Sequence, residues 1–465
     1  MVISRLAGPV LETFDEDLRA SWVPDVLAGA DAELRLGLAG DAGGATSVQA
    51  IEWLPVPKPD GTSFRAPLIP LRSLAVLNRA VEPLKAAAEQ VLAPTVCGYR
   101  RGAEPGAAYS AEHRRFTEIV RAEAAESAFV VSADVHRFFA TTSWATVMGA
   151  CARTLPTAST APLGEAVDGF QSAGLTHLPA GYADARFLAN IVLIEADRAI
   201  GLPFARWVDD YRIFAPSAEA ADAALGRLAE ALADLGLMLN VAKGRCQPAM
   251  EYLDSCGASF TSVYHPEFEA PDVVRAALRT VFLDAAPDPR AHRRSLRFVL
   301  PRLAAEGDDI AVDWALQALA TTPWEAPRLI AYLAAFAENT AVRSGVEGHL
   351  LQALRLDDAW LATRLAALAC STGIADEAVD AVASALTTTE SPALWGCLLR
   401  ALALAGHREA VVNQLQRRVL DPRAAVGACA DLDLRGVLDL TEEMERTARA
   451  LGSRPAPRPS LDTIL

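Results

Sequence analysis

The chain has 465 residues, 52% of them apolar, and a formal net charge of −15. That length predicts about two to three domains of roughly 150 residues each, and no stretch reaches the roughly 18 consecutive apolar residues of a membrane span. The acidic balance speaks against a broad electrostatic grip on nucleic acid and leaves room for a local one. Seven scattered cysteines, with no Cys-x-x-Cys pair, read as reduced thiols. Met1 to Asp17 carries an early acidic cluster and no apolar h-region, so a cytoplasmic protein with no membrane partner is expected.

In chain order, the first fifty residues hold three Lys or Arg against eight acids, whereas Ile51 to Arg115 hold nine against six. Within that basic stretch lie Val56-Pro57-Lys58-Pro59-Asp60-Gly61 and then Arg65, whose charges taken alone can be surface charges. Cys97-Gly98-Tyr99-Arg100-Arg101-Gly102 follows, and then Tyr109, in the loop-like setting Gly106-Ala107-Ala108-Tyr109-Ser110. The run Phe129-Val130-Val131-Ser132-Ala133-Asp134 is an apolar strand that ends in an acid. After Val135, His136 and Arg137 come Phe138 and Phe139, one of which belongs to the core, and a helix is predicted after Thr141-Thr142-Ser143-Trp144. Leu178-Pro179-Ala180-Gly181 is a turn, and a helix is predicted from Tyr182 to Ile200 with Asn190 inside it.

The most informative segment is Phe204-Ala205-Arg206-Trp207-Val208-Asp209-Asp210-Tyr211-Arg212-Ile213-Phe214. It reads as a β-hairpin with two adjacent carboxylates at its tip. Such neighbours repel unless they are solvated or neutralised, and a divalent cation is the natural neutraliser. Leu235-Gly236-Leu237-Met238-Leu239-Asn240 and Lys243 come next, then Glu251-Tyr252-Leu253-Asp254-Ser255-Cys256-Gly257. Lys243 stands out because the chain has only three lysines, with Lys58 and Lys85, against forty arginines.

Past about residue 270 strand signals stop, and Ala/Leu-rich amphipathic segments alternate with short polar breaks. Leu333 with Phe336, Leu365 with Leu368 and Leu399 with Leu402 recur about every 33 residues, as do Val346, Val379 and Val411, the mark of stacked helical hairpins. A basic knot of Arg290, Arg293, Arg294 and Arg297 is either a solvated helix face or a nucleic-acid contact. Arg454 to Pro459 reads as part of a flexible tail.

Asp134 at a strand end, the Leu-Pro-Ala-Gly turn and the Trp-Val-Asp-Asp box, in this order, resemble the reverse transcriptase family over roughly residues 50 to 265. The resemblance implies an α+β chain with a fingers domain and ferredoxin-like palm over 1–270, a HEAT-like all-α repeat domain over 271–452 and a tail over 453–465. It implies that Asp134 and Asp209 are metal ligands, with Asp210 in support and the Val135 carbonyl as a further ligand. The ions would be two Mg2+, with Mn2+ as a substitute. Lys58 and Arg65 would hold the triphosphate of a deoxynucleotide, Gly181 would line its site, Phe139 would exclude a 2′-hydroxyl, and Lys243 would donate a proton to pyrophosphate. Glu251 to Gly257 echo the strand pair that grips a primer end. Ala180 stands where the family commonly has Gln, Trp207 where it has Tyr, and Arg212 where an uncharged residue is usual.

A polymerase-like half joined to helical repeats is most similar to bacterial abortive-infection, defence-associated reverse transcriptases. That likeness implies untemplated or protein-primed DNA synthesis in answer to phage, a covalently attached DNA product, an RNA or phage-derived trigger and a homo-oligomer. If a tyrosine primes, Tyr109 is the candidate. A templated enzyme of retron or group II intron type and a non-catalytic scaffold are the alternatives.

Overall fold

The computed structural model describes residues 48, 50–69, 71–100, 108–257, 271–420, 428 and 432. The chain is α+β. The tail expected over 453–465 lies outside the described residues. Contacts divide the chain into two units: one is built on residues 69–257, and the other joins residues 52–68 to the helices from 271 onward. The hairpin at 52–68, expected with the first unit, therefore groups with the second.

That hairpin comprises β1 (Glu52–Pro57) and β2 (Ser63–Leu68), antiparallel, with Leu54 opposite Ala66. The first unit then runs α1 (Leu71–Val91), β3 (Val96–Cys97), α2 (Ala108–Ala125), β4 (Phe129–Asp134), α3 (Phe138–Thr141), α4 (Trp144–Thr154) and α5 (Ala161–Ser172). It continues with α6 (Ala183–Val192), α7 (Ile194–Ile200), β5 (Phe204–Trp207), β6 (Asp210–Ala215), α8 (Ala218–Asp234), β7 (Arg245–Pro248) and α9 (Ala249–Gly257). The sheet order is β3-β5-β6-β4-β7, all neighbours antiparallel except the short β3–β5 pair. From β4 to β7 the connectivity is β-α-β-β-α-β, with β6 inserted between β4 and β5.

Alternation along the strands decides the register. Val130 faces Phe214 and Val131 faces Ile213 on the next strand, and all four are buried. A slip of one residue would turn each of these side chains to the wrong face. One face, with Val130, Phe214 and Ala205, packs with Phe116, Val120 and Ala124 of α2. On α8, Ala221, Ala224, Leu228 and Leu232 are buried at helical spacing, and this helix packs on β4 and β6. Ser143 caps α4 by accepting from the Thr146 N–H, and Ser217 caps α8 by accepting from the Ala220 N–H.

Two local expectations change. The helix from Tyr182 to Ile200 is two helices, interrupted at Leu193 (φ −89°, ψ 0°). Glu251 to Gly257 form α9 rather than part of a strand pair. Its Tyr252 and Leu253 pack against the α2 side of the sheet, and Ala249, Met250 and Glu251 are all good helix formers.

The second unit continues with α10 (Pro271–Ala285), α11 (Arg293–Ala305), α12 (Val312–Thr321), α13 (Ala326–Ala334), α14 (Thr340–Arg355), α15 (Ala359–Thr372), α16 (Val379–Thr388), α17 (Pro392–Leu404) and α18 (Arg408–Arg417). Short 3-10 turns at Asp309–Ala311, Pro323–Glu325 and Asp376–Ala378 lead into α12, α13 and α16. The helices stack in two layers: α11, α13, α15 and α17 meet in succession, and so do α12, α14, α16 and α18. Leu333, Leu365, Leu399, Val346 and Val411 are fully buried in the shared core, with Val379 at its edge. The sequence period of about 33 residues is thus one helical hairpin of the stack.

The hairpin of β1 and β2 belongs to this stack. β1 packs on α15 and on the turn Pro323–Glu325. Its Glu52 carboxylate accepts from the Ser391 hydroxyl and, at 3.2 Å, from the Ala393 N–H at the start of α17, where an anion is favoured by the helix dipole.

Candidate active site

Asp134, the last residue of β4, lies directly opposite Asp210, the first residue of β6. Cross-strand partners place their side chains on one face, so two carboxylates from separate segments share the end of the sheet. Asp209 sits beside them in the two-residue loop between β5 and β6, since Trp207 pairs with Asp210. The Val135 N–H donates to the Asp209 carbonyl at 3.3 Å, closing the loop onto the end of β4.

The segment after α8 is laid along the same end. Val135 and Leu239 form an antiparallel bridge. The His136 N–H donates to the Met238 carbonyl at 2.7 Å, and the Asn240 N–H to the Asp134 carbonyl at 2.7 Å. Gly236, at φ 73°, makes the left-handed turn that redirects the chain after α8. As a result Asn240 Nδ2 donates to one Asp134 oxygen at 3.0 Å and Lys243 Nζ to the other at 2.9 Å. The Lys243 side chain is 64% exposed, so this ion pair is a weak tether. On the other strand, Arg212 Nη1 donates to Asp210 at 2.6 Å, while its Nε donates to Tyr252 Oη at 3.0 Å.

Asp209 is different. Among the described residues it has no ion-pair partner, and its carboxyl is pushed up to about 6, by burial first and then by the Asp134 and Asp210 charges. A half-buried carboxylate whose two neighbours are acids is a site of unbalanced negative charge, and a cation relieves it.

Behind the loop is a buried network that sequence reasoning missed. Arg206 is fully buried. It donates to Asp197 at 2.8 and 2.6 Å, to the Asn190 side-chain oxygen at 2.9 Å and to the Val208 carbonyl at 2.6 Å. Tyr211 Oη donates to the same Asp197 at 2.9 Å, and Asn190 Nδ2 donates to the Gly98 carbonyl at 2.9 Å. Val208 has φ 56°, the left-handed region that a β-branched residue rarely adopts. Arg206 therefore holds a strained turn from below and fixes where Asp209 projects. The available signal was a charged residue inside an apolar strand with an acid nine residues before it.

The remaining predicted residues fall as follows. Phe138 is buried and Phe139 is half-buried against its ring, at 5.4 Å between centroids, so Phe138 is the core residue. Gly181 has φ 94°, which suits it to the turn before α6, and the next residue, Tyr182, is buried and accepts the Ile69 N–H at 3.0 Å. Tyr109 lies in the first turn of α2 rather than in a loop. Lys58 and Arg65 sit on the hairpin of the other unit, Lys58 near the Phe64 ring and Arg65 over the Trp53 ring at 5.4 Å. Arg100, from the Gly-Tyr-Arg segment, is spent on Glu89 and on the Ala93 and Val96 carbonyls.

Among the described residues no three His, Cys, Asp or Glu side chains close into a metal cage. Magnesium does not require one, because it keeps several waters and commonly takes one or two carboxylates plus substrate phosphates. Asp134 and Asp209 supply oxygen donors of that kind, and the raised Asp209 carboxyl fits a site that a cation completes. Among the described residues no helix is long and apolar enough to cross a membrane. No family model matches the chain, and no curated protein matches it.

Proposed function

We propose that the chain is a nucleotidyltransferase of reverse-transcriptase type that builds DNA from deoxynucleoside triphosphates. The observation that carries this reading is the register that sets Asp134 against Asp210 with Asp209 beside them and Lys243 on Asp134. Two Mg2+ bound by Asp134 and Asp209 would supply charge stabilisation to the entering and leaving oxygens of an in-line displacement. The attacking hydroxyl gives its proton to solvent, its oxygen bonds to the α-phosphorus, the bond to the bridging oxygen breaks, and pyrophosphate leaves. Lys243, loosely held and exposed, swings from Asp134 to the leaving group and gives it a proton. Arg206, through Val208, keeps Asp209 in place without reorganisation. Phe139 is exposed enough to stand at the sugar.

The split β-α-β-β-α-β sheet supports a palm, and the two-layered helical stack supports HEAT-like repeats. Together with the altered Leu-Pro-Ala-Gly turn, they favour the defence-associated branch, in which synthesis without a template answers phage infection. Incubating purified protein with each labelled deoxynucleotide and Mg2+, without added nucleic acid, is expected to give polymer. No polymer with or without added template and primer would overturn the reading.

A further inference from the structure

The second unit gathers positive charge at one place. Arg293 and Arg297 of α11 and Arg328 of α13 all converge on the Glu325 carboxylate, with Arg297 at 3.5 Å and Arg328 at 3.7 Å. The Glu325 side chain is only 4% exposed, so one buried acid orders three guanidinium groups whose own outer edges remain in solvent. Arg290, just before α11, and Arg294, in its first turn, are exposed, with no ion-pair partner among the described residues. Asp288, the nearest acid in sequence, turns its carboxylate to the Ala291 N–H at 3.0 Å. Three guanidinium groups thus meet at one buried carboxylate, with Arg290 and Arg294 close by in sequence, in a chain with 58 acids against 43 basic residues.

Like charges held together repel, and a polyanion relieves that repulsion. Guanidinium forks match phosphate oxygens in pairs, and the three anchored by Glu325 lose little further freedom when they bind. Arg293 and Arg297, one turn apart, are offset by about 6 Å along α11, a reach that a flexible strand follows. A duplex brings denser charge toward a chain of net −15, so the single strand is favoured.

We propose that this arginine cluster is a contact surface for the phosphate backbone of single-stranded nucleic acid. Binding here needs neither nucleotide transfer nor the carboxylates of the other unit, so it stands or falls apart from the proposed reaction.

The test is fluorescence anisotropy of a labelled oligothymidylate of about 20 nucleotides with the full chain. Salt is varied from about 50 to 300 mM, with no divalent ion or nucleotide present. The double variant Arg290→Ala/Arg294→Ala alters two exposed side chains and leaves the Glu325 cluster intact. Removing two phosphate contacts should reduce the slope of log K against log salt by about 1.4, which is about 25-fold weaker binding at 0.1 M salt. An unchanged slope overturns the proposal, and so does equal or tighter binding of a duplex. A change in self-association with no change in slope would make the surface a contact between copies of the chain and would also overturn it.

Discussion

At Asp209, the carboxyl raised to about 6 from an ordinary 3.8 ties stability to pH. The folded form holds this proton to higher pH than the unfolded form does. Between about pH 4 and 6 the folded state therefore binds more protons, and stability falls as pH rises through that window. Over the window the loss for metal-free protein is about 2 to 3 kcal/mol, measurable by urea unfolding at several pH values. Asp209→Asn is expected to remove that slope and to unfold no more easily than wild type at pH 7, because it relieves repulsion rather than opening a cavity. The same variant combined with Asp210→Asn is expected to make no DNA. Full incorporation by the double variant would exclude this site. Phe139→Ala is expected to raise the ratio of ribonucleotide to deoxynucleotide incorporation, and an unchanged ratio would remove Phe139 from the sugar.

Within the β5–β6 element, the strained Val208 turn depends on a buried ion pair. Asp197→Ala leaves Arg206 charged and uncompensated in the interior, at a cost of about 3–5 kcal/mol. Replacing both partners, as Asp197→Leu with Arg206→Met, is expected to recover most of that stability. DNA synthesis should stay reduced by about 10- to 100-fold, because the Val208 carbonyl has lost its donor. Thermal unfolding and incorporation rates, measured on the same samples, separate the two effects. Recovery of both together would mean that the network only packs. The strands and the acids at their ends were legible in the sequence because alternation names the buried face and leaves Asp134, Asp209 and Asp210 without a place in it. Arg206 was not, since alternation alone does not tell a buried arginine from a solvated one; its partners come from α6 and α7. α9 departs from the family echo because Ala249 to Leu253 carry a helix preference of their own.

For the molecule as a whole, the repeat period was legible because each hairpin buries the same positions. The grouping of β1 and β2 with the helical stack was not, since its polar anchors at Ser391 and Ala393 lie more than 300 residues away in sequence. Cutting the chain after Asp288 removes α15 and α17 and strips the hairpin of its support. The truncated protein is expected to lose nucleotide incorporation while circular dichroism still reports the folded sheet. A truncated protein that incorporates nucleotides normally would make the stack an accessory.

The bond from Glu52 to Ser391 spans 339 residues. A ribosome adding about 5–20 residues per second needs about 17 to 70 s to travel from one to the other. For the last part of that interval, from Gly257 to Ser391, about 7 to 27 s at those rates, the carboxylates of the first unit can be in place while the hairpin has nothing to rest on. Birth of the polypeptide thus carries its own delay: an unfinished chain, still tethered beside messenger RNA, holds an unanchored hairpin until the segment around Ser391 has emerged.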